Sequence, residues 1–162
     1  MENIEGVIKA MTSYGSQEYE NYSHFWNDKD IQSFSNWLLL QPKIKNLVLY
    51  RGYSFDRQYF NDANIVKDSV IDTDALTQES LPSFTTDLIR ACLYINEYGE
   101  IALEDRVRVL FVIHTKGKYF VDISKYSAYS EEREYKCTDN AKLKVISLTE
   151  KANYLQIELK EI

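Results

Sequence analysis

The sequence predicts an α+β fold in which early helices pack on a largely antiparallel β core. Apolar residues recur at helical spacing near the start and again in the middle of the chain. The last third is almost all β-branched and aromatic runs. Between them there is no strand–helix–strand alternation of the kind that builds a parallel sheet. The length of 162 residues matches one domain, and neither a repeat nor a linker interrupts it, so residues 1–162 read as a single domain.

Each element has its own signal. Ile4, Val7, Ile8 and Met11 form the apolar stripe of a short helix that Tyr14-Gly15-Ser16 ends. Asp30 reads as the N-cap of a second helix, with Ile31, Phe34 and Leu38 on one face and Pro42 as its stop. Ile44 to Tyr50 is a β-rich run ending at Arg51-Gly52. Residues 54–81 carry short apolar pieces, such as Val70-Ile71, without firm periodicity. Ser83-Phe84-Thr85 reads as a short strand entering a third helix, capped by Thr86 or Asp87, with Leu88, Ala91, Cys92 and Ile95 on its face. Strands are then expected over 107–114, 119–123, 133–137, 143–148 and 154–159, with 115–118 as the first turn.

Composition narrows the function. With 19 basic and 25 acidic residues the net charge is −6, which disfavours a protein built to grip phosphate backbones. Cys92 and Cys137 stand far apart, His24 and His114 are isolated, and no metal-ligand spacing appears, so no metal is expected. Packed thiols in a reducing compartment are the plain reading. The start, Met-Glu-Asn-Ile-Glu-Gly, lacks a basic leader, and the longest apolar run, Val109 to Ile113, is far shorter than the ~20 residues a bilayer requires. A cytoplasmic protein without a membrane partner is expected.

The phosphate-binding glycine loops, the nucleophile elbow and the zinc-protease helix motif are all absent. Cys92 falls on an apolar helix face, where a thiol is usually inert. Three segments remain. Tyr50-Arg51-Gly52 ends an apolar strand with a guanidinium that can fork onto a phosphate, followed by a residue that permits close approach. Ser83-Phe84-Thr85-Thr86-Asp87 sets three hydroxyls around an aromatic at a strand-to-helix junction. Glu132-Arg133-Glu134 puts two carboxylates two residues apart, on one side of a strand, where crowding divides their roles. Taken singly, these are also an ordinary surface arginine, a helix cap and a solvated strand.

Together and in this order, the segments resemble the mono-ADP-ribosyltransferase family in its arginine–serine–glutamate branch. That family's pattern is aromatic-Arg-Gly, then Ser-Thr-Ser on a strand, then Glu-x-Glu on a later strand. The similarity extends to the early helices, with their tyrosines and a Trp-Leu-Leu stretch, and to the closing strands. It implies an ADP-ribosyltransferase-like α+β fold, with N-terminal helices packed on a two-sheet, largely antiparallel core. It also implies NAD as co-substrate without a metal, bound by Arg51, Gly52, Thr85 and Glu134. Arg51 would clamp the phosphates and Gly52 would leave room for them. Thr85 would hydrogen-bond toward Glu134, and Glu134 would stabilise the ribosyl cation. Glu132 would orient or deprotonate the acceptor, with glutamate there pointing to a protein arginine. The family serine is a threonine here, so Ser83, Thr85 and Thr86 all stay candidates, with Thr85 placed first. Tyr126 and Tyr129 fall in the substrate-recognition loop, and Tyr94 or Tyr98 could stack on nicotinamide. Small transferases of this kind are often toxins, with an antitoxin or immunity protein as partner. Modification of a nucleic acid, and a non-catalytic binding module, are the alternatives.

Overall fold

The structure is a computed structural model that describes residues 28–78, 81–96, 105–126 and 133–162. The helix expected over 4–11 lies outside these residues. Helix α1 spans Asp28–Leu40, starting two residues before the expected cap, and it buries Phe34 and Leu38. Strand β1 spans Lys45–Asp56 and continues six residues past the end of its apolar run at Tyr50, because Leu49, Arg51, Tyr53 and Phe55 alternate onto one face of a long ladder. The short helix α2, Arg57–Ala63, follows at once, capped by Asp56, whose side chain accepts from the Tyr59 amide. Seven residues with none buried leave little periodic signal, so the sequence pattern does not reveal α2.

Strand β2, Val70–Ile71, and a 3₁₀ turn, Thr73–Ala75, lead to β3, Ser83–Thr85, and helix α3, Leu88–Asn96. Asp87 caps α3, its Oδ1 accepting from the amides of Ile89 and Arg90 at 3.0 and 3.2 Å. The remaining strands are β4 (Arg106–Lys116), β5 (Phe120–Asp122), β6 (Glu134–Cys137), β7 (Leu143–Glu150) and β8 (Leu155–Glu161), each close to its expected place.

The eight strands among the described residues join one curled sheet in the order β2-β7-β8-β4-β1-β3-β6-β5. Every pairing is antiparallel except β4 with β8. The α+β class therefore holds. The two sheets of the expectation are two halves of one ladder, five strands and three, which meet where β1 and β3 share a single register pair, Tyr50↔Thr85.

The main core lies on the Leu49/Phe55 face and includes Phe84, Phe111, Phe120, Ile157 and Leu159. Each such fully buried side chain contributes about 2 kcal/mol of transfer free energy. A second cluster under α1 joins Phe34, Leu38, Leu81, Val121 and Ile123. On the opposite face of β1, α3 packs through Ala91 and Ile95, with Leu110 beneath. The contact is narrow: Leu88 remains 44% exposed and Cys92 is half-buried, so the expected four-residue face reduces to two.

Gly52 makes that contact possible. A Cβ there would lie 1.8 Å from the Ala91 carbonyl oxygen and 2.8 Å from Ile95 Cγ1. In this structure the missing side chain accommodates helix α3, whereas the expectation assigned the space to a phosphate. Among the described residues no helix is long and apolar enough to cross a membrane, and no cluster of three His, Cys, Asp or Glu could hold a metal ion.

Candidate active site

The register across the junction of the two halves sets Tyr50, Thr85 and Glu134 abreast on β1, β3 and β6. Directly paired residues point to the same side of a sheet. Ser83 and Lys136, paired one step along, therefore share the face of Thr85 and Glu134. Phe84 and Tyr135 turn to the other side, into the main core. Alternation thus builds a polar floor on one face of β3 and β6 and an apolar anchor on the other.

Glu134 is 7% exposed. Its Oε2 accepts a hydrogen bond from Ser83 Oγ at 2.9 Å and faces Lys136 Nζ at 3.3 Å. Lys136 also donates to Ser83 Oγ at 2.6 Å and to the Leu81 carbonyl at 2.8 Å. A buried carboxylate without partners would be strongly unfavourable, so this cluster is what lets a charge sit there.

The hydroxyl bonded to Glu134 is therefore that of Ser83, a correction to the order in which Thr85 came first. Thr85 does other work: its Oγ1 accepts from the Asp87 amide at 3.0 Å, tying β3 to the start of α3. Thr86 is half-buried and lies just past the strand.

Arg51 is 8% exposed and turns to the Tyr53 and Phe84 side, with its guanidinium 4.5 Å from the centre of the Tyr53 ring. Its Nε donates to the Leu76 carbonyl at 3.0 Å, Nη2 to Thr77 Oγ1 at 2.9 Å and Nη1 to the Ser83 carbonyl at 3.1 Å. Arginine and glutamate thus meet at a shared partner, one through the Ser83 carbonyl and the other through its hydroxyl. The fork binds the loop at 76–77 to β3, at the place where the β1–β3 ladder is a single pair wide.

Backbone strain marks the entries to both short strands. Leu81 before β3 and Arg133 before β6 have φ of 55° and 49°, in the left-handed region that branched or bulky residues seldom occupy. Strand β6 begins at Glu134, directly after Arg133. Glu132 itself, like Tyr98 and Tyr129, lies outside the described residues. Tyr126 stands edge-on to Trp37 at 5.3 Å, and Tyr94 is 40% exposed on α3. Behind the site, burial and the Asp122 carboxylate push the Tyr135 hydroxyl up, with Arg133 opposing them.

No family model and no curated protein sequence matches the chain. Solved structures do. The chain superposes on the ADP-ribosyltransferase Vis, a toxin of Vibrio splendidus, with a TM-score of 0.73 at 18% identity, covering 100% of this chain and 73% of Vis. Plx2a, an ADP-ribosyltransferase toxin from Paenibacillus larvae, gives 0.65 at 12%, over 100% of this chain and 87% of its own. Exoenzyme S from Pseudomonas aeruginosa gives 0.62 at 14%, over 98% and 76%. The chain has the ADP-ribosyltransferase fold.

Within the ADP-ribosyltransferase fold, two neighbours of the site escape a reading of the residues alone. Thr77 reaches Arg51 across 26 positions, and nothing local announces it. Lys136 does carry a signal: a lysine of the same parity as Glu134 inside a four-residue strand that is buried throughout.

Proposed function

We propose that this protein is an NAD-dependent mono-ADP-ribosyltransferase whose acceptor is a protein arginine. The observation that carries the reading is the buried Glu134 carboxylate, fixed by the Ser83 hydroxyl at the strand junction that Arg51 braces, within this fold. Three further facts support it. Exoenzyme S has been solved bound to carba-NAD, Vis has been solved with agmatine, a guanidine, and both Vis and Plx2a are toxins.

The chemistry follows from charge. The bond between C1′ of the ribose and the nicotinamide nitrogen breaks, nicotinamide leaves with the bonding pair, and positive charge develops on the ribose. A carboxylate already desolvated and oriented is worth most at that moment, because it needs no reorganisation. Glu134 is that group, through a bond to a ribose hydroxyl. Arg51 commits three donors to protein oxygens, so it first holds the 76–77 loop and β3 in place, and its charge then favours the NAD phosphates. An acceptor nitrogen attacks C1′ and gives up its proton, with Glu132 as the base. A toxin or effector acting in a cytosol, with an antitoxin or immunity partner, is the setting this chemistry fits.

Incubation with labelled NAD and separated protein and RNA fractions tests the reading. Label on protein, removed by guanidine-specific hydrolysis, is expected; label on RNA alone would overturn the acceptor, and no nicotinamide release would overturn the enzyme. Glu132→Ala should lose transfer about 10²-fold while retaining NAD hydrolysis, the scale of a lost general base. Equal loss of both would remove Glu132 from the acceptor side.

A further inference from the structure

Lys136 is 3% exposed, on a strand where all four residues are buried. Its register partner is Val121, and the cluster beside it joins Phe34, Leu38, Leu81 and Val121. Packing alone would be served by an apolar side chain of similar volume, since well-packed apolar replacements of buried ion pairs are often neutral or stabilising. What the lysine adds is its ammonium, which bonds the Leu81 carbonyl and Ser83 Oγ and sits 3.3 Å from Glu134 Oε2.

The contacts run in one direction. Lys136 donates to Ser83 Oγ, so that oxygen's own proton is turned outward, and it is donated to Glu134 Oε2. The ammonium is anchored to the backbone at Leu81, the left-handed residue just before β3, so its position is set by the fold and not by the carboxylate. One carboxylate oxygen, Oε2, receives both contacts. The plane of Glu134 is thereby fixed from a single side.

We propose that Lys136 is a positioning residue of the active site: acting through Ser83 and on Oε2 directly, it orients the Glu134 carboxylate toward the ribosyl cation. This rests on the transferase reading above. Lys136 itself touches neither NAD nor acceptor in this role, so its loss should lower turnover and leave NAD recognition in place.

The test is steady-state nicotinamide release by the full chain, for the wild type, Lys136→Met, Ser83→Ala and the double variant. Lys136→Met should lower kcat by roughly 10- to 100-fold, the scale of a mispositioned catalytic group, with KM for NAD within about threefold. The double variant should be scarcely worse than the poorer single one, because both substitutions break the same chain of contacts. Unchanged kcat in a folded Lys136→Met protein overturns the proposal, as does a loss that falls on KM. Losses that multiply in the double variant also overturn it, since the lysine would then act independently of Ser83. If the Met variant does not fold, Lys136→Gln, which keeps a donor without the charge, takes its place: a fall in kcat at steady KM supports the role, and an unchanged kcat overturns it. A wild type that releases no nicotinamide overturns the transferase reading and this role with it, whereas an active wild type matched by its variants overturns this role alone.

Discussion

The two halves of the sheet are built on different principles. In the five-strand half, β1 and β4 pair in register from Val48↔His114 to Asp56↔Arg106, and β7 and β8 run beside them over most of their lengths. Its interior is mostly apolar, the buried carboxylate of Glu161 being held by the backbone amides of Lys116 and Lys118, and long ladders hold it. The three-strand half consists of β3, β5 and β6, with three, three and four residues, yet it buries Thr85, Glu134 and Lys136. Ladders this short cannot position charges by themselves. The work passes to side chains: Arg51 to Leu76, Thr77 and Ser83, and Lys136 to Leu81 and Ser83. One half supplies rigidity and the other supplies preorganised charge, and the arginine at their junction belongs to both.

That contrast can be broken first at its chemical end. Glu134→Gln should remove NAD cleavage and transfer by at least about 10³-fold while the protein still folds, because the substitution keeps size and loses the charge that the reaction needs. Nicotinamide release beside a thermal melt measures both, and near-normal turnover would sink the assignment. The rigid half should fail in the opposite way. Gly52→Ala places a Cβ 1.8 Å from the Ala91 carbonyl, so α3 must shift off β1, at about 3 kcal/mol or more. Denaturant unfolding should show a lowered midpoint, and a midpoint like the wild type's would mean that α3 does not rest on Gly52.

Within the short half the two hydroxyls separate. Ser83→Ala should reduce turnover by about tenfold or more, as expected for losing a bond to a charged group, whereas Thr85→Ala should act mainly on stability, by about 1 kcal/mol, through the Asp87 amide. The reverse ranking would restore the order read from the sequence.

The smallest effect concerns the core. Burial pushes the Cys137 thiol well above its ordinary value of 9.0, with Glu161 and Asp139 adding to the shift. Above that value the unfolded chain gives up a proton that the folded one keeps, so the folded state binds more protons and stability falls as pH rises. Cys137→Ala should flatten this alkaline decline while lowering stability at neutral pH, as unfolding at pH 7 and pH 10 would show. An unchanged slope would assign the decline to Tyr59 and Tyr135, whose hydroxyls burial also raises.

Helix α1, the strand at Ser83–Thr85 and the closing strands were legible because each repeats an apolar period long enough to be read locally or carries its own turn signals. Arg51 and Glu134 were legible as candidates from residue type and order along the chain, and the structure brings both to Ser83. Helix α2 was hidden because it is seven residues long and fully buries none of them.

What the sequence by itself determined is parity: Ser83 and Thr85 share a side of β3, as Glu134 and Lys136 share a side of β6. Parity cannot choose between two hydroxyls, nor say which cation meets which carboxylate. Only the tertiary structure decided that, by pairing Thr85 with Glu134 and Ser83 with Lys136, which leaves the diagonal from Ser83 to Glu134 at hydrogen-bonding distance. Gly52 follows the same rule. The chain shows a residue without a side chain, and only the arrival of α3 shows what fills the space. Alternation is a property of one strand, whereas register and helix docking are settled between segments by the burial of faces that lie far apart along the chain.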